Sequence, residues 1–166
     1  MISNQIELSL IIIIFIYTIF HIWIIFHLKN RYKVKSGPAI GQPIPEIEIL
    51  DIDRKTMQLN NRLQGEKNLL LFVDMDCEHC NKIINSLKLM DSSVLNNIHF
   101  LLSESDENFN ILKDRGIRGN FYFLKEEDIF LHLNIKGFPF FLDIDSNNVI
   151  EKKGFATTSV IVEYLI

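Results

Sequence analysis

The sequence predicts an α/β domain, a central mixed sheet flanked by helices, behind one N-terminal transmembrane helix. Three observations carry that prediction. Residues 8–28, LSLIIIIFIYTIFHIWIIFHL, hold no Lys, Arg, Asp or Glu. Beyond them, apolar runs of strand length alternate with segments of helical period. The only two cysteines, Cys77 and Cys80, fall where one apolar run, residues 69–73, gives way to a helical pattern.

The chain has 166 residues, room for one ordinary domain plus an appendage. We divide it into an anchor with its basic flank, residues 1–35, and a domain, residues 36–166. Hydrophobic residues make up 48% and the formal net charge is −4, which argues against disorder and against nucleic acid as a partner. Two cysteines cannot build a disulfide scaffold, and a bridge across a two-residue gap would staple almost nothing. The pair is therefore not there to hold the fold together.

Taken in order, the first element is the apolar stretch. Its 21 residues, at about 1.5 Å each, span roughly 30 Å, the thickness of a bilayer core. It is apolar on every face, unlike a buried core helix, so we expect it to contact the lipid bilayer through residues 8–28. His21 and His27 are mild polar interruptions rather than ligands. The preceding MISNQIE has no basic side chain and no A-x-A pattern follows, so we expect an uncleaved single-span anchor rather than a signal peptide. Lys29, Arg31, Lys33 and Lys35 follow the span; by the positive-inside rule alone they place the C-terminal domain in the cytoplasm.

Three of the four prolines and two of the seven glycines lie in residues 36–45, a connection unsuited to continuing the helix. Residues 46–52 alternate polar and apolar, as a half-buried strand does. LNNRLQGEKN reads as a short helical turn and a loop. Residues 69–73, LLLFV, read as a central strand covered on both faces. From Cys80 the period becomes helical, with Ile83, Ile84 and Leu87 on one face and Met90 a turn on. Cys77 thus lies near a helix N-terminus, where backbone amides and the helix dipole favour a thiolate. A thiolate is the species that attacks a disulfide, and a second cysteine resolves the mixed disulfide.

Residues 98–102 read as another buried strand and residues 107–115 as a helix. Residues 117–136 are ambiguous, with a short strand and a short helix around EEDIFLHLNI. Residues 140–145 and 149–153 form a hairpin about the turn SNN, and residues 159–166 a closing helix. That order is the thioredoxin-like layout. Pro139 stands directly before the strand at 140, where it cannot donate to a sheet.

The stretches GPAIGQPIPEIEI, Leu63 with Gly65, KNLLLFVDMDCEHC, GFPFFLDID and EKKGFATT together resemble the membrane-anchored thioredoxin-like proteins of the redoxin (AhpC/TSA) superfamily. The resemblance is to the TlpA and ResA types, and most of all to the methylamine-utilisation accessory (MauD) type. It covers residues 37–166 and includes the position of the anchor. The 59-residue gap from Cys80 to Pro139 fits members with an element inserted into the minimal fold. The resemblance implies a thiol–disulfide oxidoreductase with Cys77 and Cys80 as the catalytic pair and Pro139 in a cis bond beside them. It implies client proteins bearing thiols or disulfides, an upstream redox partner, no cofactor, and work outside the cytoplasmic membrane. On orientation we follow the resemblance over the basic flank. Members commonly carry Pro inside or just before the CxxC; here Asp76 precedes it and Glu78 and His79 lie within it. The usual turn glycine after the first strand is replaced around Asp53 and Arg54.

Glu78 and His79 are candidate tuning residues. A protonated His79 would favour the Cys77 thiolate, whereas Asp74, Asp76 and Glu78 would oppose it by like charge. The bland readings are a solvated helix-start histidine and a solvated acidic loop; the sharper one makes Glu78 a proton acceptor for the resolving thiol. A peroxidase of the same superfamily needs Pro-x-x-x-Thr/Ser-x-x-Cys, and Leu70 and Asp74 occupy those positions. A structural zinc site needs about four ligands, and His21, His27, His99 and His132 form no second pair. We expect His99 and His132 to fill places in the fold. A redox-inert tethered binding module would not need both cysteines.

Overall fold

In the computed structural model the described residues are 2–31, 35–63, 65–87, 95–115 and 119–165. They fall into two compact units, Met1–Lys35 and Ser36–Ile166. The first contains a single helix, α1 (Ile2–Arg31). Its apolar side chains from Leu10 to Ile25, Ile24 excepted, are solvent-facing, Ile22 to 66%. Two polar side chains bond within the helix: Thr18 Oγ1 donates to the Phe15 carbonyl at 2.8 Å, and the His21 ring sits edge-on to Tyr17 at 4.4 Å. The expected transmembrane span is not shown. Among the described residues no helix is long and apolar enough to cross a membrane.

The second unit is built on seven described strands: β1 (Glu48–Leu50), β2 (Thr56–Gln58), β3 (Asn68–Phe72), β4 (Ile98–Ser103), β5 (Asn120–Leu124), β6 (Phe140–Ile144) and β7 (Ile150–Phe155). Their order is β2-β1-β5-β4-β3-β6-β7. β3, β4 and β5 are parallel, and the strands outside them pair antiparallel. The sheet is therefore mixed, with β4 in the middle and LLLF of β3 beside it, fully buried. Parallel neighbours need crossovers, and helices α3 (Glu78–Leu87) and α4 (Asp106–Arg115) supply them. The short α2 (Leu59–Arg62) and the closing α5 (Thr158–Leu165) complete the helices.

Alternation along the strands divides the core. Leu69, Leu71, Val73, Ile98, Phe100, Leu102, Phe121, Phe123 and Phe141 bury into one cluster with Ile83, Ile84 and Leu87 of α3 and Ile161 of α5. Phe109 of α4 stacks on Phe123 at 3.7 Å between centroids. The intervening residues, Leu70, Phe72, Leu101, Phe140 and Leu142, are also buried and face the other way.

The structure differs from the sequence reading at several elements. The strand expected at 46–52 is only three residues, because the chain turns at 51–55 and returns as β2, which the sequence did not signal. Arg54 takes φ 63° in that turn, so the left-handed conformation is kept without the glycine usual there. The ambiguous 117–136 region holds β5 and a π-helical turn, Asp128–His132. Met90 lies outside the described residues. Gly37, at φ 78°, brings the linker against the sheet: a Cβ there would stand 2.8 Å from the Phe140 ring. Its N–H donates to the Asn134 carbonyl at 2.8 Å, and Ser36 Oγ accepts from the Lys136 N–H at 2.8 Å. The linker thus braces the loop that leads to Pro139.

Candidate active site

Strand pairing decides what meets the cysteines. β6 runs antiparallel to β3 with Phe72 opposite Phe140. One residue further, Pro139 arrives where β3 ends and the CxxC loop begins. The Phe138–Pro139 bond is cis and Pro139 is buried. The Cys77 S–H lies 3.8 Å from the Phe138 carbonyl, a weak sulfur hydrogen bond across 61 residues of sequence. Sheet topology thus unites Cys77, Cys80 and Pro139.

Helix capping then positions the sulfur. In this unit α4 and α5 begin behind hydroxyls: Ser105 Oγ accepts from the Asn108 N–H at 3.1 Å, and Thr157 Oγ1 from the Val160 N–H at 3.4 Å. α3 begins behind a thiol. Cys77 occupies the N-cap, and its Sγ accepts from the Cys80 N–H at 3.4 Å. A charge on that sulfur would face an amide and the positive end of the helix dipole. Asn81 steadies the loop, its Nδ2 donating to the Met75 carbonyl at 2.8 Å.

The two thiols, both reduced, differ in environment. Cys77 is half-buried at the surface, while Cys80 is wholly buried in the helix-side core. Burial pushes the Cys80 thiol up to about 12, with the hydrogen bond to Cys77 adding to the effect. Asp74 lies behind this pair: its N–H donates to Cys80 Sγ at 3.5 Å, a bond that lowers the Cys80 pKa, while its charge acts the other way.

The tuning candidates are placed differently. Glu78 is an exposed side chain paired with Lys82 at 2.7 Å, one helical turn on, which holds its carboxyl below the usual range. It therefore bonds away from the thiols, and the structure does not bring it to Cys80. His79 is exposed at the helix start. Asp74, read as one member of a solvated acidic loop, meets Cys80 through its backbone N–H, while its Oδ1 accepts from the Asp76 N–H at 2.8 Å. His99 is buried in β4, and His132 pairs with Asp128 at 2.7 Å on the surface. Among the described residues no group of three or more His, Cys, Asp or Glu side chains could hold a metal.

An exposed apolar turn lies beside Phe138. Phe130 and Leu131, on the π-helical turn, are 44% and 70% exposed, and the Phe130 ring meets that of Phe138 edge-on at 6.0 Å. π-helical turns of this kind recur at functional sites.

No protein-family model matches the chain. The methylamine utilization protein MauD of Paracoccus denitrificans is 22% identical over 131 residues, covering 78% of this chain and 66% of that protein. The chain thus spans slightly under two thirds of that relative's length. A thiol:disulfide interchange protein from a Bacteroides species superposes with TM-score 0.62 at 20% identity, over 76% of this chain and 88% of that one. The thioredoxin domain of a thiol-disulfide oxidoreductase from Bacteroides vulgatus does so with TM-score 0.61 at 19% identity, over 78% and 99%. With the mixed sheet and its crossovers, these likenesses establish that residues 36–166 have the thioredoxin-like α/β fold.

Proposed function

We propose that the chain is a membrane-tethered thiol–disulfide oxidoreductase working through Cys77 and Cys80. The observation that carries this reading is the asymmetry of the pair: a half-exposed sulfur capping α3 in front of a fully buried one. In the reducing direction the Cys77 thiolate attacks a client disulfide; a mixed disulfide forms and one client thiolate leaves. Cys80 then loses its proton and attacks Cys77 Sγ. The second client thiolate leaves, and the Cys77–Cys80 disulfide holds the two-electron loss. An upstream redox partner returns those electrons, and the reverse sequence forms disulfides. The Cys80 proton passes to a departing client thiolate, and the Asp74 backbone N–H, 3.5 Å from Cys80 Sγ, steadies that sulfur as it becomes charged. Pro139 and the Phe138 carbonyl frame the edge along which an extended client would lie, and Phe130 and Leu131 give it an apolar contact. His79 and Glu78, at the helix start, remain tuning residues through charge alone.

The anchor and location belong to the same proposal. The exposed apolar side chains of α1 need an apolar surrounding, which supports a bilayer across residues 8–28. The weak likeness to MauD supports placing the chain among the anchored redoxins of the TlpA and ResA kind, with the domain outside the cytoplasmic membrane. Fusing alkaline phosphatase or a fluorescent protein to the C-terminus tests orientation; inactive phosphatase with bright fluorescence overturns it. For the chemistry, Cys77→Ser should abolish insulin reduction and Cys80→Ser should trap a mixed disulfide with client proteins. Turnover unchanged in Cys77→Ser would refute the assignment.

A further inference from the structure

The exposed turn beside Phe138 carries charge as well as apolar surface. Residues 126–131 are one helical stretch, anchored by the buried Ile129. Glu126 and Glu127 precede Phe130 and Leu131 by three to four residues, the spacing that sets side chains next to one another on a helix. All four are exposed. The turn therefore presents two carboxylates and two apolar side chains together.

This surface is tied to the thiol through Phe138. The Phe130 ring meets that of Phe138 at 6.0 Å, and the Phe138 carbonyl accepts from the Cys77 thiol. On the other side of Phe138, Gly137 lies against Phe155: a Cβ on Gly137 would stand 3.3 Å from that ring, which is itself exposed. Phe130, Leu131 and Phe155 thus make an apolar run centred on Phe138.

The charges around the run select what covers it. Asp76 is exposed directly before Cys77. The Glu104 N–H donates to the Leu124 carbonyl at 2.7 Å, which sets Glu104 beside the strand end that leads into the turn. Glu78 is neutralised by Lys82, but among the described residues no ion pair holds Asp76, Glu104, Glu126 or Glu127. Lys125 and Lys136, on the same segments, leave the excess negative. The chain's formal charge of −4 understates that excess, since four of its bases and only one acid lie in residues 1–35. Such a field repels an acidic partner at encounter and draws in a cationic one.

We propose that the clients of this site carry Lys or Arg together with an aromatic or aliphatic residue close to the cysteine that Cys77 attacks. The apolar side chain rests on Phe130 and Leu131, and the cation meets Glu126 and Glu127. Four residues of extended chain cover about 13 Å, enough to pass from Cys77 over Phe138 to the turn. This selectivity rests on the thiol exchange proposed for Cys77 and Cys80 and names the class of protein that it serves.

Three peptides separate the two contacts. Each holds one cysteine as its 2-pyridyl disulfide, flanked by Lys and Phe, by Glu and Phe, or by Lys and Gln. With the reduced full chain in detergent, Cys77 Sγ bonds to the peptide sulfur and neutral 2-thiopyridone leaves, read by its absorbance. Cys80 then forms the disulfide with Cys77 and frees the peptide thiol. At low salt the Lys–Phe peptide should react about tenfold faster than Glu–Phe and about threefold faster than Lys–Gln. The charge preference should shrink to about twofold in about 0.5 M salt. Glu126→Gln with Glu127→Gln should remove most of the preference for Lys over Glu. Glu163→Gln, the same charge change on α5, should leave it in place. Small, uncharged 2,2′-dipyridyl disulfide reports the thiol chemistry by itself. Brisk reaction with it but equal rates for the three peptides overturns the proposal alone, as does a Lys preference that survives the double change or high salt. Dimers at low salt without any peptide preference also overturn it and give the surface to the basic flank of a second copy. No reaction with dipyridyl disulfide removes the thiol reading, and this proposal with it.

Discussion

Reduced protein treated with limiting iodoacetamide near neutral pH should be alkylated at Cys77 long before Cys80. The magnitude follows from Cys80, whose side chain is wholly buried and whose thiol is pushed up to about 12. At pH 7 such a thiol is ionised to about one part in 10⁵, against about 3% for an unperturbed thiol near 8.5, a ratio of about 3,000. The more basic thiolate is intrinsically the better nucleophile; a Brønsted slope of about 0.45 over about 3.5 in pKa returns roughly 40-fold. Cys80 should thus react about 80-fold more slowly than an unperturbed thiol, before the barrier of its burial is added. Fragment masses of the peptide that carries both cysteines report the order, since Glu78 and His79 separate them. Single Cys77→Ser and Cys80→Ser variants give each rate alone. Equal or reversed labelling would refute the division into an attacking and a resolving thiol, and with it the capping argument.

The buried His99 sets a limit on the acid side. Its folded pKa of about 4 lies below the unfolded value near 6.5, so the unfolded chain binds the proton first as pH falls. Its contribution is present above pH 6.5 and is lost as pH falls through 4, about 3 kcal/mol in all. Denaturant midpoints should fall across that window in the parent and much less in His99→Gln; parallel curves would count against it. Leu131→Asp, at a side chain 70% exposed, should leave stability within about 0.5 kcal/mol while raising KM for a disulfide-bonded protein roughly tenfold and sparing a small aromatic disulfide. Equal effects on both substrates would remove the turn from client recognition. Gly37→Ala must place a Cβ at φ 78° and 2.8 Å from the Phe140 ring, so it should cost about 2–4 kcal/mol; an unchanged melting curve would contradict the bracing role of the linker.

Much of the fold was legible because its signals are local. LLLF reads as a central strand since a strand covered on both faces needs no polar alternation. The 3.6-residue period after Cys80 marks α3, and SNN marks the last hairpin. Where the signal was short or conflicting, the reading failed. β2 has three residues, none of them fully buried, and is held by its pairing with β1. The π-helical turn follows no sequence period that separates it from an ordinary helix, and its shape comes from what Ile129, Leu133 and Ile135 bury.

The site divides along the same line. By itself the sequence determined that Cys77 stands before a helix and Cys80 within it, that Pro139 opens a strand, and that the chain carries an uncharged apolar stretch. These follow from residue type and spacing. Only the tertiary structure decided that β6 runs antiparallel beside β3, which carries Phe138 to Cys77. It also decided that the Asp74 backbone N–H, not the Glu78 side chain, meets Cys80, and that His99 Nδ1 is buried without a partner. Those relations join residues far apart in sequence or are set by the turn of a helix against a sheet. Burial and charge act through space, so no local pattern could encode them.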